Sequence, residues 1–214
     1  MAKQSPSLPG PSLDLFAAGP RTSEVINVPD ADIRFYPQFF SPSESDAFLA
    51  ELMNSTDWKQ EKISYYGKLM NLPRLTAWYG DTGKTYKYSG ITVDARPWTP
   101  ILLAIKREIE TVTPASFNSV LLNLYRSERD SVAWHSDDEP ELGRNPIIGS
   151  VSLGETRTFY FRHKRNEELK ARVELSHGSY LLMQGPTQHH WQHQIAKTTR
   201  SCGPRINLTF RSIK

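Results

Sequence analysis

Polar and apolar positions follow two rhythms along this chain. Near the front the period is helical. Ser41-Pro42-Ser43-Glu44 has the form of a capping box with proline at the first helical position. Phe48, Leu49, Leu52 and Met53 follow at helical spacing. Thr99-Pro100 opens a second helix, with Ile101, Leu102, Ile105 and Ile109 on one face. Both predicted helices are packing elements. Further on, Asp81-Thr82-Gly83 and Tyr88-Ser89-Gly90 punctuate short aromatic runs. From Ser119 the chain breaks into SVLLNLY, IIGSVSL, RTFYFRH, ARVEL, SYLLMQ and RINLTFR, each bounded by Gly, Pro or polar turns. That spacing predicts an antiparallel sandwich or barrel behind two helices.

Two of these strands carry more than a packing pattern. In Arg205-Ile206-Asn207-Leu208-Thr209-Phe210-Arg211 one face is Arg, Asn, Thr, Arg and the other Ile, Leu, Phe. Asn123 and Tyr125 likewise share a face opposite leucines. Such faces either meet water or line a polar interior that holds an anion. Arg205 and Arg211 stand roughly 20 Å apart by strand rise. They therefore cannot grip one small carboxylate unless the strand bends, and one arginine as a carboxylate clamp is the expectation.

The 214 residues suffice for one domain. Residues 1–24, with Pro6, Pro9, Pro11 and Pro20, predict a flexible leader. Its Leu13–Phe16 piece is a candidate for docking on the body. Residues 25–214 predict a single domain, divided into a front, 25–117, and a β core, 118–214. No run approaches the ~20 apolar residues of a membrane span. Cys202 is the only cysteine, which excludes an internal disulfide and a Cys-based zinc site. An intracellular monomer is the expectation, with no membrane partner and, for want of an apolar stretch after Lys3, no secretory signal. Net charge is +3. Residues 128–141 carry six acids against one arginine, whereas 157–172 carry six Lys/Arg against two Glu. The pattern is that of a cation site beside a surface for a polyanion.

His135-Ser136-Asp137 places an imidazole and a carboxylate at like strand parity. A third ligand must come from His189, His190 or His193. Two His and one carboxylate on one face of an ion form the facial triad of non-haem Fe(II) oxygenases. The open positions take a bidentate co-substrate and O₂. A 2-oxoacid on iron needs its distal carboxylate neutralised, and the Arg205 strand follows twelve residues after His193. A zinc hydrolase shares the triad, but the arginine strand argues against it.

Taken together, Asn123-x-Tyr125, His135-x-Asp137-x-Glu139, His193 and Arg205-x-Asn207-x-Thr209-x-Arg211 resemble the AlkB family of iron- and 2-oxoglutarate-dependent dioxygenases. PRLTAWYG and FNSVLLNLYRSERDSVAWHSDDEP strengthen the resemblance, which spans roughly residues 30–214. It implies a mainly β fold with N-terminal helices around a double-stranded β-helix, or jelly-roll, core. It also implies oxidative removal of N-alkyl groups from nucleic-acid bases of the 1-methyladenine and 3-methylcytosine type, with release of formaldehyde. By the same resemblance His135, Asp137 and His193 bind Fe(II), with Arg211 in the catalytic set. Asn123, Tyr125 and Arg205 hold 2-oxoglutarate, with Asn207 and Arg211 in support. Tyr86 and Tyr88, in TYKYSG, supply an aromatic wall against the flipped base. Glu139 meets the exocyclic nitrogen, and Arg74 contacts the nucleic-acid backbone. Tyr66, in Tyr65-Tyr66-Gly67-Lys68, stands where duplex-active relatives place an aromatic finger. The alternatives are the same oxygenase chemistry on modified RNA or on a protein, and a barrel that only binds nucleic acid.

Overall fold

The capping box forms as the sequence requires. The Glu44 N–H donates to Ser41 Oγ at 3.3 Å, and the Ser41 N–H donates to Glu44 Oε2 at 2.8 Å. With Pro42 in the first turn they start α1, Pro42–Ser55. Thr99 caps α2, Pro100–Glu110, by accepting from the Leu102 N–H at 3.4 Å. Phe48 and Leu52 are buried, as are Leu102, Ile105 and Ile109, while Met53 stays at the surface.

The computed structural model describes residues 21–65, 68–83, 85–88 and 91–214, with the side chains of 64–68 and 84–94 left aside. The predicted docking of Leu13–Phe16 and the Tyr66 finger lie outside the described residues. The strands are β1 (Glu24–Val25), β2 (Asp32–Tyr36), β3 (Lys62–Tyr65), β4 (Lys68–Asn71), β5 (Leu75–Gly80), β6 (Thr85–Tyr88), β7 (Ile91–Asp94), β8 (Ser119–Tyr125), β9 (Val132–His135), β10 (Ile148–Gly154), β11 (Arg157–His163), β12 (Lys170–Leu175), β13 (Ser179–Gln184), β14 (Trp191–Ile195) and β15 (Arg205–Arg211). A one-turn helix α3, Thr187–His190, precedes β14.

Strands far apart in sequence become neighbours. A seven-stranded sheet runs β1-β2-β13-β10-β15-β8-β5, and a four-stranded sheet runs β12-β11-β14-β9. β3-β4 and β6-β7 are separate ribbons. One face of the large sheet receives the helices. There Leu122, Val151, Leu208 and Phe210 share a core with Phe48, Leu52 and Ile105. The other face turns Leu121, Ile148 and Leu181 toward Phe159, Phe161 and Ile195 of the small sheet. Each such side chain contributes about 1.5–3 kcal/mol by leaving water. The two antiparallel sheets packed face to face make the expected jelly roll.

This layering decides how β15 is used. A strand in the middle of a doubly covered sheet has no wet side, and all seven residues of β15 are buried. Its Arg/Asn/Thr/Arg face therefore lines the interior. Three features depart from the sequence reading. The front half holds β1–β7 as well as helices. β14 was not foreseen. Asp137 lies in the loop beyond β9 rather than on the strand, so strand parity is not what aims its carboxylate.

Candidate active site

Strand register assembles the polar interior. β15 lies between β8 and β10, with Arg205 opposite Tyr125 and Asn207 opposite both Asn123 and Ser152. One cavity between the sheets is lined by Asn123, Tyr125, His135, Asp137, His193 and Arg205, among others. In the small sheet β14 pairs with β9 so that His193 stands directly opposite His135. Their rings lie 4.3 Å apart, centroid to centroid.

At one end stand His135, Asp137 and His193, whose potential ligand atoms all lie within 4.8 Å of one another, a group that could hold a metal ion. His135 Nδ1 lies 2.8 Å from the Ala133 carbonyl. Donation there fixes the tautomer and leaves Nε2 free to ligate. His193 Nε2 lies 3.9 Å from Asp137 Oδ2. Burial, reinforced by His135, pushes the His193 imidazole down to about 3, so it is neutral and able to ligate at ordinary pH. Burial raises the Asp137 carboxyl, but Arg211, His193 and His135 together outweigh it and hold the group at about 2. Arg211 Nη2 donates to Asp137 Oδ1 at 2.6 Å. Arg211 thus orients the Asp137 carboxylate and is not a second clamp beside Arg205.

Arg205 occupies the other end. Its Nη2 donates to Ser152 Oγ at 2.9 Å, and its guanidinium lies 5.1 Å from the Tyr125 ring centroid. Nε and Nη1 are buried without a hydrogen-bond acceptor. Burial pulls the group down to about 10, which leaves it cationic at neutral pH. A buried cation with two idle donors lacks a carboxylate, and the distal carboxylate of a 2-oxoacid supplies one. Two imidazoles and a carboxylate on one side of a common point suit Fe(II). Both groups therefore fit the residues present.

Not every candidate falls where the sequence suggested. Arg74 is 3% exposed, and its Nε donates to Asn123 Oδ1 at 2.7 Å. It sits inside the cavity wall, because β5 pairs with β8 and sets Thr76 opposite Asn123. Its side chain is thus buried rather than at the surface; there it grips Asn123, and it also borders the groove beside His135. Asn207 is held by Ser150 Oγ and the Val151 carbonyl and accepts from Thr209, so it shapes the cavity floor. Glu139 is half-buried, and its Oε2 is buried without a hydrogen-bond partner. Tyr86 and Tyr88 lie on β6, opposite Val93 and Ile91 of β7; their side chains are outside the described set.

Of the other histidines, His189 accepts from the Asn145 N–H at 3.2 Å. His190 joins Asp30 and His163 in a second group of potential ligands. That group does not suit a metal. His163 Nδ1 accepts the N–H of Arg165 and of Asn166, at 3.2 and 3.1 Å. Its proton is therefore on Nε2, 3.4 Å from Asp30 Oδ2, and that nitrogen has no lone pair to give.

Two supporting residues escaped the sequence reading. Gln188, fully buried in α3, accepts the Asp137 N–H on Oε1 at 2.9 Å and so holds the loop that carries the carboxylate. Arg157 ties Asp130 to Ala196 through their carbonyls, at 3.1 and 2.6 Å, and so fastens the β8–β9 loop to the chain just beyond β14. Neither sits in a motif of its own.

A jelly roll with such a triad at one end of a cavity and a buried arginine at the other defines a non-haem iron oxygenase with an acidic co-substrate. Comparison with known proteins agrees: the 2OG-Fe(II) oxygenase superfamily matches residues 32–211. The chain belongs to this superfamily and, within it, to the AlkB family, and Fe(II) and 2-oxoglutarate are its cofactors. It is 46% identical over 192 residues to alpha-ketoglutarate-dependent dioxygenase alkB homolog 3 of Homo sapiens, covering 83% of this chain and 65% of that protein. It is 39% identical over 189 residues to DNA oxidative demethylase ALKBH2 of Bos taurus, covering 83% and 68%. The chain thus spans somewhat less than two thirds of the human relative's length. The solved structure of OsALKBH1 superposes with a TM-score of 0.64 over 89% of this chain and 100% of that one, at 15% identity, and shares the fold. No helix among the described residues is long and apolar enough to cross a membrane.

Proposed function

We propose that this chain oxidatively demethylates N-alkylated bases of nucleic acid, of the 1-methyladenine and 3-methylcytosine type, and so reverses alkylation damage directly. The observation that carries the reading is the single cavity that joins the His135–Asp137–His193 cluster to the idle donors of Arg205. His135, Asp137 and His193 would hold Fe(II). Arg205, with Tyr125 and Asn123 beside it, would hold 2-oxoglutarate. Together with O₂ these supply the oxidation of an N-methyl carbon to the hydroxymethyl level, with succinate and CO₂ as co-products. The C–N bond then breaks: the hydroxymethyl group leaves as formaldehyde, its hydroxyl proton is released, and the bonding pair returns to the ring nitrogen, so the base is neutral again.

The substrate class rests on three supports. Relatives at 38–39% identity bear the name DNA oxidative demethylase. Such methylated bases are cationic, and the buried, unpaired Glu139 Oε2 offers an acceptor for an exocyclic N–H. A groove of about 510 Å³, lined by Ile63, Trp134, His135 and Lys197, opens beside the cluster. The methyl carbon sits on a base-pairing nitrogen, so the base must be single-stranded or flipped to enter.

The reading is tested by formaldehyde release and base analysis on oligonucleotides carrying either lesion, single-stranded and duplex, DNA and RNA. Repair that requires both Fe(II) and 2-oxoglutarate and is lost in His193→Ala supports it. Consumption of 2-oxoglutarate without repair of any base would contradict the substrate class and turn attention to a protein substrate.

A further inference from the structure

The outer face of the four-stranded sheet has a composition that the catalytic cavity does not use. In β11 and β14 the residues alternate strictly. Phe159, Phe161 and His193 point inward, while Tyr160, Arg162, Gln192 and Gln194 point out. Register extends this outward set across the sheet. Tyr160 pairs with Gln194 on one side and Arg172 on the other; Arg162 pairs with Gln192 and Lys170. Arg162 reaches over Gln192, donating to its Oε1 at 2.9 Å, and stacks 4.4 Å from the Trp134 ring centroid.

The outward positions of β11 and β12 thus carry Arg162, Lys170 and Arg172 against one acid, Glu174, which accepts from Thr158 Oγ1. Lys170 and Arg172 are exposed on the free edge strand. Two clefts open on this face. One, of about 330 Å³, is lined by Arg162, Lys164, Lys170 and Gln192, with Glu167 as its one acid. The other is the 510 Å³ groove in which Trp134 and Gln194 of the outer face adjoin His135 of the iron site. The cationic, aromatic-bearing face is therefore continuous with the mouth of the cavity.

We propose that this face is a platform for the single strand flanking the base in the site, with phosphates on Lys170 and Arg172 and bases stacked on Tyr160 and on the Arg162–Trp134 pair. Interleaved aromatic and cationic residues on an open sheet provide the two attractions a single strand offers, its π-faces and its phosphates. From β9 to β12 there are three interstrand steps of ~4.8 Å, or about 14 Å. A sheet of this width accommodates a short run of an extended single strand. The inference rests on the nucleic-acid reading above and adds where the rest of the strand lies.

The test compares wild type with Lys170→Glu/Arg172→Glu, two surface changes remote from the iron ligands in sequence and strand order. Melting curves and circular dichroism check folding. Binding of an unmodified, fluorescein-labelled single strand of about 12 nucleotides is followed by anisotropy across salt concentrations. Demethylation is followed on a trinucleotide and on the same lesion within the longer strand. Each phosphate contact on a single strand adds about 0.7 to the slope of log K against log salt, so the double variant should lower that slope by about 1.4. The advantage of the longer strand over the trinucleotide, as a ratio of kcat/KM, should shrink. Lys170→Arg/Arg172→Lys should restore both. If slope and length advantage are unchanged while demethylation persists, the platform is wrong and the substrate reading stands. If wild type neither binds nor repairs any oligonucleotide, the substrate reading falls and the platform falls with it.

Discussion

Arg205→Met removes a cation that this fold holds ready. In the folded protein Nη2 has Ser152, while Nε and Nη1 are buried with no acceptor. A hydrogen bond to a charged group contributes about 1.5–3 kcal/mol. Two such bonds to the distal carboxylate of 2-oxoglutarate give about 3–6 kcal/mol before the ligand's own dehydration is counted. The lower end is the reasonable figure, and at 1.4 kcal/mol per tenfold it weakens binding about 100-fold. Without co-substrate the sign reverses. A buried, incompletely paired ion costs several kcal/mol, and an apolar residue of similar volume relieves it, so the variant should melt no lower than wild type. The assay is calorimetric titration of 2-oxoglutarate into Mn(II)-substituted protein without O₂, paired with thermal unfolding. At 100 times its wild-type Kd the ligand should stabilise wild type by about 2.7 kcal/mol and the variant, then at about its own Kd, by only about 0.4 kcal/mol. Retained affinity in a folded Arg205→Met protein would refute the carboxylate clamp.

Three further outcomes follow from the same contacts. Gln188→Leu frees the Asp137 N–H and should weaken metal binding about 10- to 100-fold while melting remains cooperative; equal Mn(II) affinity would show that the loop holds without it. Ile105→Ala opens a cavity under α2 and should cost about 2–5 kcal/mol in urea unfolding; a loss below ~1 kcal/mol would mean that α2 is not packed on the sheet as described. The KM for 2-oxoglutarate should be flat from neutral pH to about pH 9 and rise through about 10, where Arg205 sheds its proton. The sign follows from burial: it lowers the folded pKa below the unfolded value, so deprotonation of this group favours the folded state, and the rise in KM is not unfolding. A profile that rose near pH 7 would assign the clamp to another group.

The sequence exposed what depends on local chemistry. Ser41-x-x-Glu44, the stripe of α2 and the alternation of β15 each state their structure within a few residues, and each forms. The grouping of His135, Asp137 and His193 with Arg205 around one cavity was legible because few combinations of residue types serve one reaction. Burial on both sides was not legible. RINLTFR alternates like a half-wet strand, and only the four-stranded sheet packed over it shows that its polar face is interior. WQHQI also alternates, but its central inward residue is a histidine, which hides a strand from any hydrophobic pattern. Arg74 looks like a surface arginine until β5 pairs with β8 and brings it to Asn123. The grip of Gln188 on Asp137 depends on α3 packing beside a loop 51 residues away, a relation that no local window contains.

The most direct test of the central claim is mass spectrometry of a 3-methylcytosine oligonucleotide incubated with the protein, with Fe(II) and 2-oxoglutarate together or one omitted. Loss of one methyl group, with one succinate formed per base restored, is expected only when both are present, and no loss with His193→Ala. Demethylation without 2-oxoglutarate, or intact lesions beside steady succinate formation by folded, iron-loaded protein, would contradict that claim.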